Sequence, residues 1–183
     1  RDSKELMKRI IKESKLPSSV NPRAISSAID RAKNDCLSPA ELEAQRRSDL
    51  PPRTPELYRI YQDRLKASNA VDFGDLILLT IRLLENNPDV LERYRQRFRN
   101  LLVDEYQDTN HSQYKLLRML SDHGDRSITV VGDEDQSIYS FRGADIRNIL
   151  DFERDFPGAH VVRLERNYRS TQTILKAATS VVE

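Results

Sequence analysis

Three stretches of the chain set acidic, amide, aromatic and cationic side chains directly after short apolar runs. In the first, Leu101-Leu102-Val103 ends in Asp104-Glu105, followed by Tyr106-Gln107-Asp108. Adjacent carboxylates at the mouth of a strand are costly unless a cation meets them. Mg²⁺ on nucleotide phosphates, held by one or two carboxylates and water, is one answer. A second carboxylate beside that ion can orient or deprotonate an attacking water. The plainer explanation is a helix start decorated with acids, each contributing about 0.3–1 kcal/mol.

In the second stretch, Ile128-Thr129-Val130-Val131 runs into Gly132-Asp133-Glu134-Asp135-Gln136, then Tyr139, Phe141 and Arg142. The acids resemble the opening of a calcium loop, but the glycine and closing glutamate of that geometry are missing. Tyr139 and Phe141 beside Arg142 suit base stacking, at about 1–3 kcal/mol per base, although aromatics near a strand end are commonly core. In the third, Val161-Val162-Arg163-Leu164 leads to Glu165, Asn167, Tyr168 and Arg169. A tyrosine-arginine pair there can stack on a purine and reach a phosphate. As a lone tripeptide, Asn-Tyr-Arg has little specificity.

The elements that must present these groups fall into two textures. Residues 1–69 read as helices. Leu6, Met7, Ile10 and Ile11 share one helical face, and Ala24, Ile25, Ala28, Ile29 and Ala32 repeat the pattern, with Pro17, Ser18 and Ser19 as a break between them. Ser38 before Pro39 is expected to cap a short helix over 39–47. The proline-rich 51–55 stretch reads as a linker, and Leu57, Tyr58, Ile60, Tyr61 and Leu65 as a further amphipathic helix. From residue 70 onward, Phe73 to Leu84 reads as a largely buried helix, and Val90, Leu91, Tyr94 and Phe98 as one face of the next. The three apolar runs read as short strands, with helices expected over 111–122, 144–155 and 171–182. Strands alternating with helices imply parallel βαβ units, whose ligands bind at the strand C-termini.

Composition narrows the setting. The 183 residues carry a net charge of +1, with 32% charged and 38% hydrophobic residues, as in a charge-rich globular protein. Residues 1–70 hold 15 Lys/Arg against 10 Asp/Glu, and residues 71–183 hold 15 against 19. A basic helical part beside an acidic one suits a polyanion grip next to a metal–phosphate site, or an ordinary solvated surface. No apolar run approaches the ~18 residues of a membrane span. The lone Cys36 excludes an intramolecular disulfide and fits a reducing cytosol, so a cytoplasmic location is expected. His111, His123 and His160 show no metal spacing.

Taken in order, VDEYQDTN (103–110), VVGDEDQSIYSFRGADIRNIL (130–150), LERNYRSTQTIL (164–175) and AVDFGDLILL (70–79) resemble the UvrD/Rep/PcrA-type superfamily 1 DNA helicases. The likeness is closest over 70–183 and thinner over 1–69, where DRAKND (30–35) carries it. It implies an α/β, helix-rich fold: a partial parallel RecA-like P-loop NTPase sheet with an all-helical insertion. Residues 1–69 look like the family's 1B insertion, and 70–183 like the second half of its 1A motor domain. It also implies roles. Asp104 binds Mg²⁺, with Glu105 beside the metal and activating the hydrolytic water. Gln136 senses the γ-phosphate, Tyr168 stacks on the adenine of ATP, and Arg169 acts as an arginine finger. Phe73, Tyr139, Phe141 and Arg142 line the single-stranded DNA track. Phe141 departs from the family pattern, which has tryptophan there; phenylalanine keeps a stacking face but loses area and the indole N–H. Asp108 is expected to be a helix cap or structural partner.

The phosphate-binding loop G-x-x-x-x-G-K-[ST] is absent, because Gly74, Gly124, Gly132, Gly143 and Gly158 are followed by Asp, Asp, Asp, Ala and Ala. With Arg1 in place of a methionine at its start, the chain is expected to be a segment of a 3′→5′ DNA helicase acting on single strands and duplex junctions. By itself it is expected to be inactive and to self-associate through exposed sheet edges. Two alternatives stay open: the motor subunit of a helicase–nuclease, and a non-catalytic single-stranded DNA-binding module.

Overall fold

The computed structural model describes residues 2–14, 20–121 and 127–182. The expected break at Pro17-Ser18-Ser19 lies outside the described residues. The first half is helical: α1 (Asp2–Glu13), α2 (Pro22–Asn34), α3 (Pro39–Ala44), α4 (Thr54–Ala67), α5 (Phe73–Asn86) and α6 (Pro88–Arg97). Local chemistry sets the helix starts. The Asn21 side chain accepts from Arg23 N, with Pro22 in the first turn of α2. Ser38 and Glu41 form a reciprocal capping box at α3, satisfying donors that helical hydrogen bonding leaves orphaned. Glu41 also receives Arg82 at 2.7 Å. The hydrogen bonds from Ser38, with that from Arg82, hold its carboxyl down at about 2. Helix α3 stops at Ala44, shorter than the expected 39–47.

The main apolar core lies among α1, α2, α3 and α4. Met7, Ile10, Ile25, Ile29, Leu42, Leu57 and Tyr58 are all buried, and Tyr61 closes one side. Beside it sits a buried polar knot. The Nζ of Lys33 has no solvent exposure and lies 2.6 Å from Asp72 and 2.8 Å from Asp75. It also sits 5.2 Å from the ring centre of Tyr61, whose hydroxyl donates to Asp72 at 3.0 Å. Asp72 and Asp75 together form the capping box of α5, so the knot pins the end of α2 to the start of α5.

Helix α5 is buried along one face only. Leu78, Ile81 and Leu84 are enclosed, whereas Leu76, Leu79 and Leu83 are about half exposed and Phe73 is 90% exposed. This corrects the expectation of a largely buried helix: nothing among the described residues covers its second apolar stripe. Tyr94 of α6 and Phe98, just past its end, stack at 5.9 Å and remain partly exposed.

The second half holds β1 (Asn100–Val103), α7 (His111–Ser121), β2 (Ser127–Val130), α8 (Arg147–Leu150), α9 (Phe152–Asp155) and α10 (Gln172–Val182). Strands β1 and β2 pair in parallel, in the register Asn100↔Ser127 to Val103↔Val130, with α7 as the crossover. The expected βαβ unit is present, although both strands alternate half-buried with exposed residues rather than running buried. The third expected strand does not form. Residues 161–164 have no ladder partner among the described residues, and Val162 and Leu164 are exposed. An apolar run becomes a strand only when another strand meets its backbone groups. The helix expected over 144–155 is two short helices, divided at Asp151, where the backbone leaves helical geometry (φ −93°, ψ 5°).

Candidate functional site

The two acidic loops leave neighbouring strand ends and are knit together beyond the regular ladder. Val131 N donates to Val103 O at 2.8 Å, and Tyr106 N donates to Val131 O at 3.0 Å. Between these contacts Glu105 takes a left-handed backbone, φ 51°, which costs a non-glycine residue roughly 1–2 kcal/mol. The turn exposes both carboxylates, with Asp104 Oδ1 accepting Glu105 N at 2.9 Å.

Gln107, which the sequence reading passed over, connects the loops. It is 1% exposed. Its Nε2 donates to Glu105 Oε2 at 2.8 Å, and its Oε1 accepts Asp133 N at 3.1 Å. Asp133 Oδ2 in turn accepts Gln136 Nε2 at 2.6 Å. A continuous hydrogen-bonded path therefore runs from Glu105 through Gln107 and Asp133 to Gln136, joining two of the expected catalytic residues through two unassigned ones. Gly132 makes the approach feasible, since a Cβ there would lie 2.6 Å from Gln107 Oε1. The only advance signal was the glutamine's place two residues after the acidic pair.

The donor set suits a hard divalent cation. Asp104 is exposed at a strand end, and its Oδ2 accepts no hydrogen bond among the described residues. One such carboxylate, with water and phosphate oxygens, is the usual Mg²⁺ arrangement. The described residues contain no cluster of three or more metal-binding side chains that would form a cage from protein alone.

Tyr106, between the acids and Gln107, anchors the loop from below. It is fully buried, with its ring edge-on to Phe152 at 5.5 Å, and Phe152 stacks on Phe156 at 4.6 Å. Burial pushes its hydroxyl up to about 12, and that oxygen has no hydrogen-bond partner among the described residues. The cap of α7 is Asn110, not Asp108. Asn110 Oδ1 accepts Gln113 N, and Gln113 Oε1 accepts Asn110 N, both at 2.9 Å. Asp108 has no such role because its Oδ1 is enclosed without a partner.

The aromatic residues expected on a DNA track are at the surface. Phe141 is 75% exposed and lies 5.9 Å from the ring of Tyr139, which lines a cavity of about 300 Å³ with Asp108 and Asn110. Phe73 lines a separate cavity of about 320 Å³ between α1, α2 and α5. The side chain of Arg142 lies outside the described ones. Asn167 Oδ1 accepts the N–H groups of Arg169 and Ser170, both at 2.9 Å, in a turn that leaves Tyr168 and Arg169 exposed, with Arg166 5.0 Å over the Tyr168 ring. No hydrogen bond, ion pair or ring contact among the described residues joins Tyr168 or Arg169 to the acidic loops.

The profile of the UvrD/REP helicase N-terminal domain matches residues 1–157. The chain belongs to that family. It is 49% identical to the ATP-dependent DNA helicase PcrA of Leuconostoc citreum, over 97% of this chain and 24% of that protein. It is 50% identical to the ATP-dependent DNA helicase UvrD1 of Mycobacterium tuberculosis H37Rv, over 88% of this chain and 22% of that protein. Against PcrA of Bacillus subtilis it is 44% identical, over the whole chain and 25% of the relative. The chain thus spans about a quarter of the length of these relatives. No helix among the described residues is long and apolar enough to cross a membrane.

Proposed function

We propose that the protein carrying this chain is an ATP-dependent DNA helicase that moves 3′→5′ along single strands and opens duplex junctions. The observation that carries this reading is the hydrogen-bonded link from Glu105 through the buried Gln107 and on through Asp133 to Gln136, set within a chain of the UvrD/REP family. Nucleotide hydrolysis coupled to movement needs a base, a phosphate sensor and a rigid connection between them. In this reading Asp104, with Glu105 beside it, holds Mg²⁺, which neutralises charge on the phosphates of ATP when bound. Glu105 accepts a proton from the attacking water, and Gln107 keeps its carboxylate oriented. Gln136 reports the γ-phosphate, Tyr168 stacks on the adenine, and Arg169 is the arginine finger. Phe73, Tyr139, Phe141 and Arg142 form the single-strand track.

Residues 1–69 are read as the helical insertion and 70–183 as the second half of the first motor domain, in a cytoplasmic protein. The 183-residue chain by itself is inactive in this reading, and its uncovered strand edges favour self-association. A strand-displacement assay on the whole protein tests the central function. ATP- and Mg²⁺-dependent release from a duplex with a 3′ single-stranded tail, and not from one with a 5′ tail, is expected. Release from neither substrate, or from the 5′-tailed one alone, would overturn it.

A further inference from the structure

Asn34, the last residue of α2, lies outside the acidic and aromatic motifs, yet the loop after β1, the turn after Phe141 and the cavity beside Phe73 all meet at it. Its Oδ1 accepts Asn110 Nδ2 at 3.1 Å, across 76 residues of sequence. Asn110 closes the Asp104 to Thr109 loop and bridges to Ala144. The loop is latched a second time, because Thr109 O accepts Asp145 N and Asn148 Nδ2, both at 3.0 Å. On its other side Asn34 meets the turn that follows Phe141. Gly143 has φ 92°, and a Cβ there would lie 2.9 Å from Asn34 Nδ2. Asn34 also lines the cavity that Phe73 borders. The residue before it, Lys33, is fixed in the buried knot with Asp72 and Asp75, so the end of α2 cannot drift from the start of α5.

We propose that Asn34 is a positioning residue that couples the acidic nucleotide loop to the aromatic single-strand track. The inference rests on the functional reading above. A base stacking on Phe141 or Tyr139 displaces the turn ending at Gly143. That turn bears on Asn34, whose backbone neighbour Lys33 is fixed in the buried knot, and Asn34 passes the constraint to Asn110 and the loop carrying Glu105. An amide suits the position because its oxygen accepts from Asn110 while its nitrogen packs against a backbone turn.

The test uses the whole protein and measures ATP turnover with and without single-stranded DNA, KM for ATP, and thermal stability. Asn34→Ala is expected to lower the stimulation by DNA about tenfold, within the range of coupling between sites. Unstimulated turnover and KM should stay at wild-type values. Asn110→Asp keeps the oxygen that caps α7 but removes the amide that reaches Asn34, so it should uncouple the sites to a similar extent. The double variant should be no worse than the more impaired single, because both break one contact. Wild-type stimulation in Asn34→Ala would overturn the inference. So would a parallel loss of stimulated turnover, unstimulated turnover and stability, which marks a merely structural role. A wild-type protein without DNA-stimulated hydrolysis would instead overturn the functional reading itself.

Discussion

The buried knot at Lys33 gives the sharpest stability prediction. Replacing Lys33 with methionine keeps most of the side-chain volume, so the packing cost is small. It removes the cation that lies 2.6 Å from Asp72 and 2.8 Å from Asp75, side chains that are 11% and 1% exposed. Removing one partner of a buried pair leaves uncompensated charge and costs about 3–5 kcal/mol. The loss should be local to α2, α4 and α5, because Tyr61 and Gln62 of α4 also bind the two carboxylates. Hydrogen–deuterium exchange on the whole protein reads it directly: peptides of these helices should lose about two to four orders of magnitude of protection. The triple variant Lys33→Met, Asp72→Asn, Asp75→Asn should recover much of that loss, since neutral amides carry no buried charge.

The pH dependence supplies a second sign. Burial pushes the Asp72 carboxyl up, but the hydrogen bond and charge of Lys33, with help from Asp75 N–H and Tyr61, bring it below its ordinary value. The knot therefore stabilises the fold at neutral pH, and that contribution fades as pH falls from about 4, the unfolded value, through the lower folded one. Without Lys33 the burial effect dominates and the sign inverts, so the variant should lose stability as pH rises above about 4. Protection within about 1 kcal/mol of wild type at neutral pH, with the wild-type pH profile, would refute the reasoning.

Three further outcomes follow from individual contacts. Tyr106→Phe deletes a buried hydroxyl that has no partner among the described residues, so it should raise the stability of the second half by about 1 kcal/mol, read as an upward thermal shift. Gln107→Leu removes the donor to Glu105 and the acceptor of Asp133 N; ATP turnover should fall roughly 10–100-fold with a smaller change in KM, and unchanged turnover would disprove its orienting role. Phe141→Trp enlarges a ring that is already 75% exposed, so single-stranded DNA should bind several-fold tighter in a fluorescence titration, by roughly 1 kcal/mol.

The sequence displayed the strand ends better than what surrounds them. Leu101 to Val103 and Ile128 to Val130 are apolar runs that stop at charged residues, and they emerge as a parallel pair with the acids at their C-terminal ends. The run at 161–164 has the same composition but finds no ladder partner among the described residues, and pairing is not encoded in composition. The start of α3 was readable at Ser38 and Pro39, because capping is local chemistry, whereas the stretch read as a linker over 51–55 already holds the start of α4. The site's internal wiring was not. Gln107, Asn34 and the Lys33 knot act through contacts between residues distant in sequence or hidden inside a motif, and nothing in their types announces it. Asp108, expected as a helix cap or structural partner because it is an acid near a helix start, does not cap α7; the reciprocal bonds with Gln113 belong to Asn110.

ATP turnover by the whole protein, wild type against Glu105→Gln, with and without single-stranded DNA, tests the central claim most directly. The account predicts DNA-stimulated hydrolysis in the wild type. In the variant, turnover should drop by about 10²–10⁴-fold while ATP and DNA still bind, because only the base is removed. Wild-type turnover in Glu105→Gln, or a wild-type protein that hydrolyses no ATP, would contradict it.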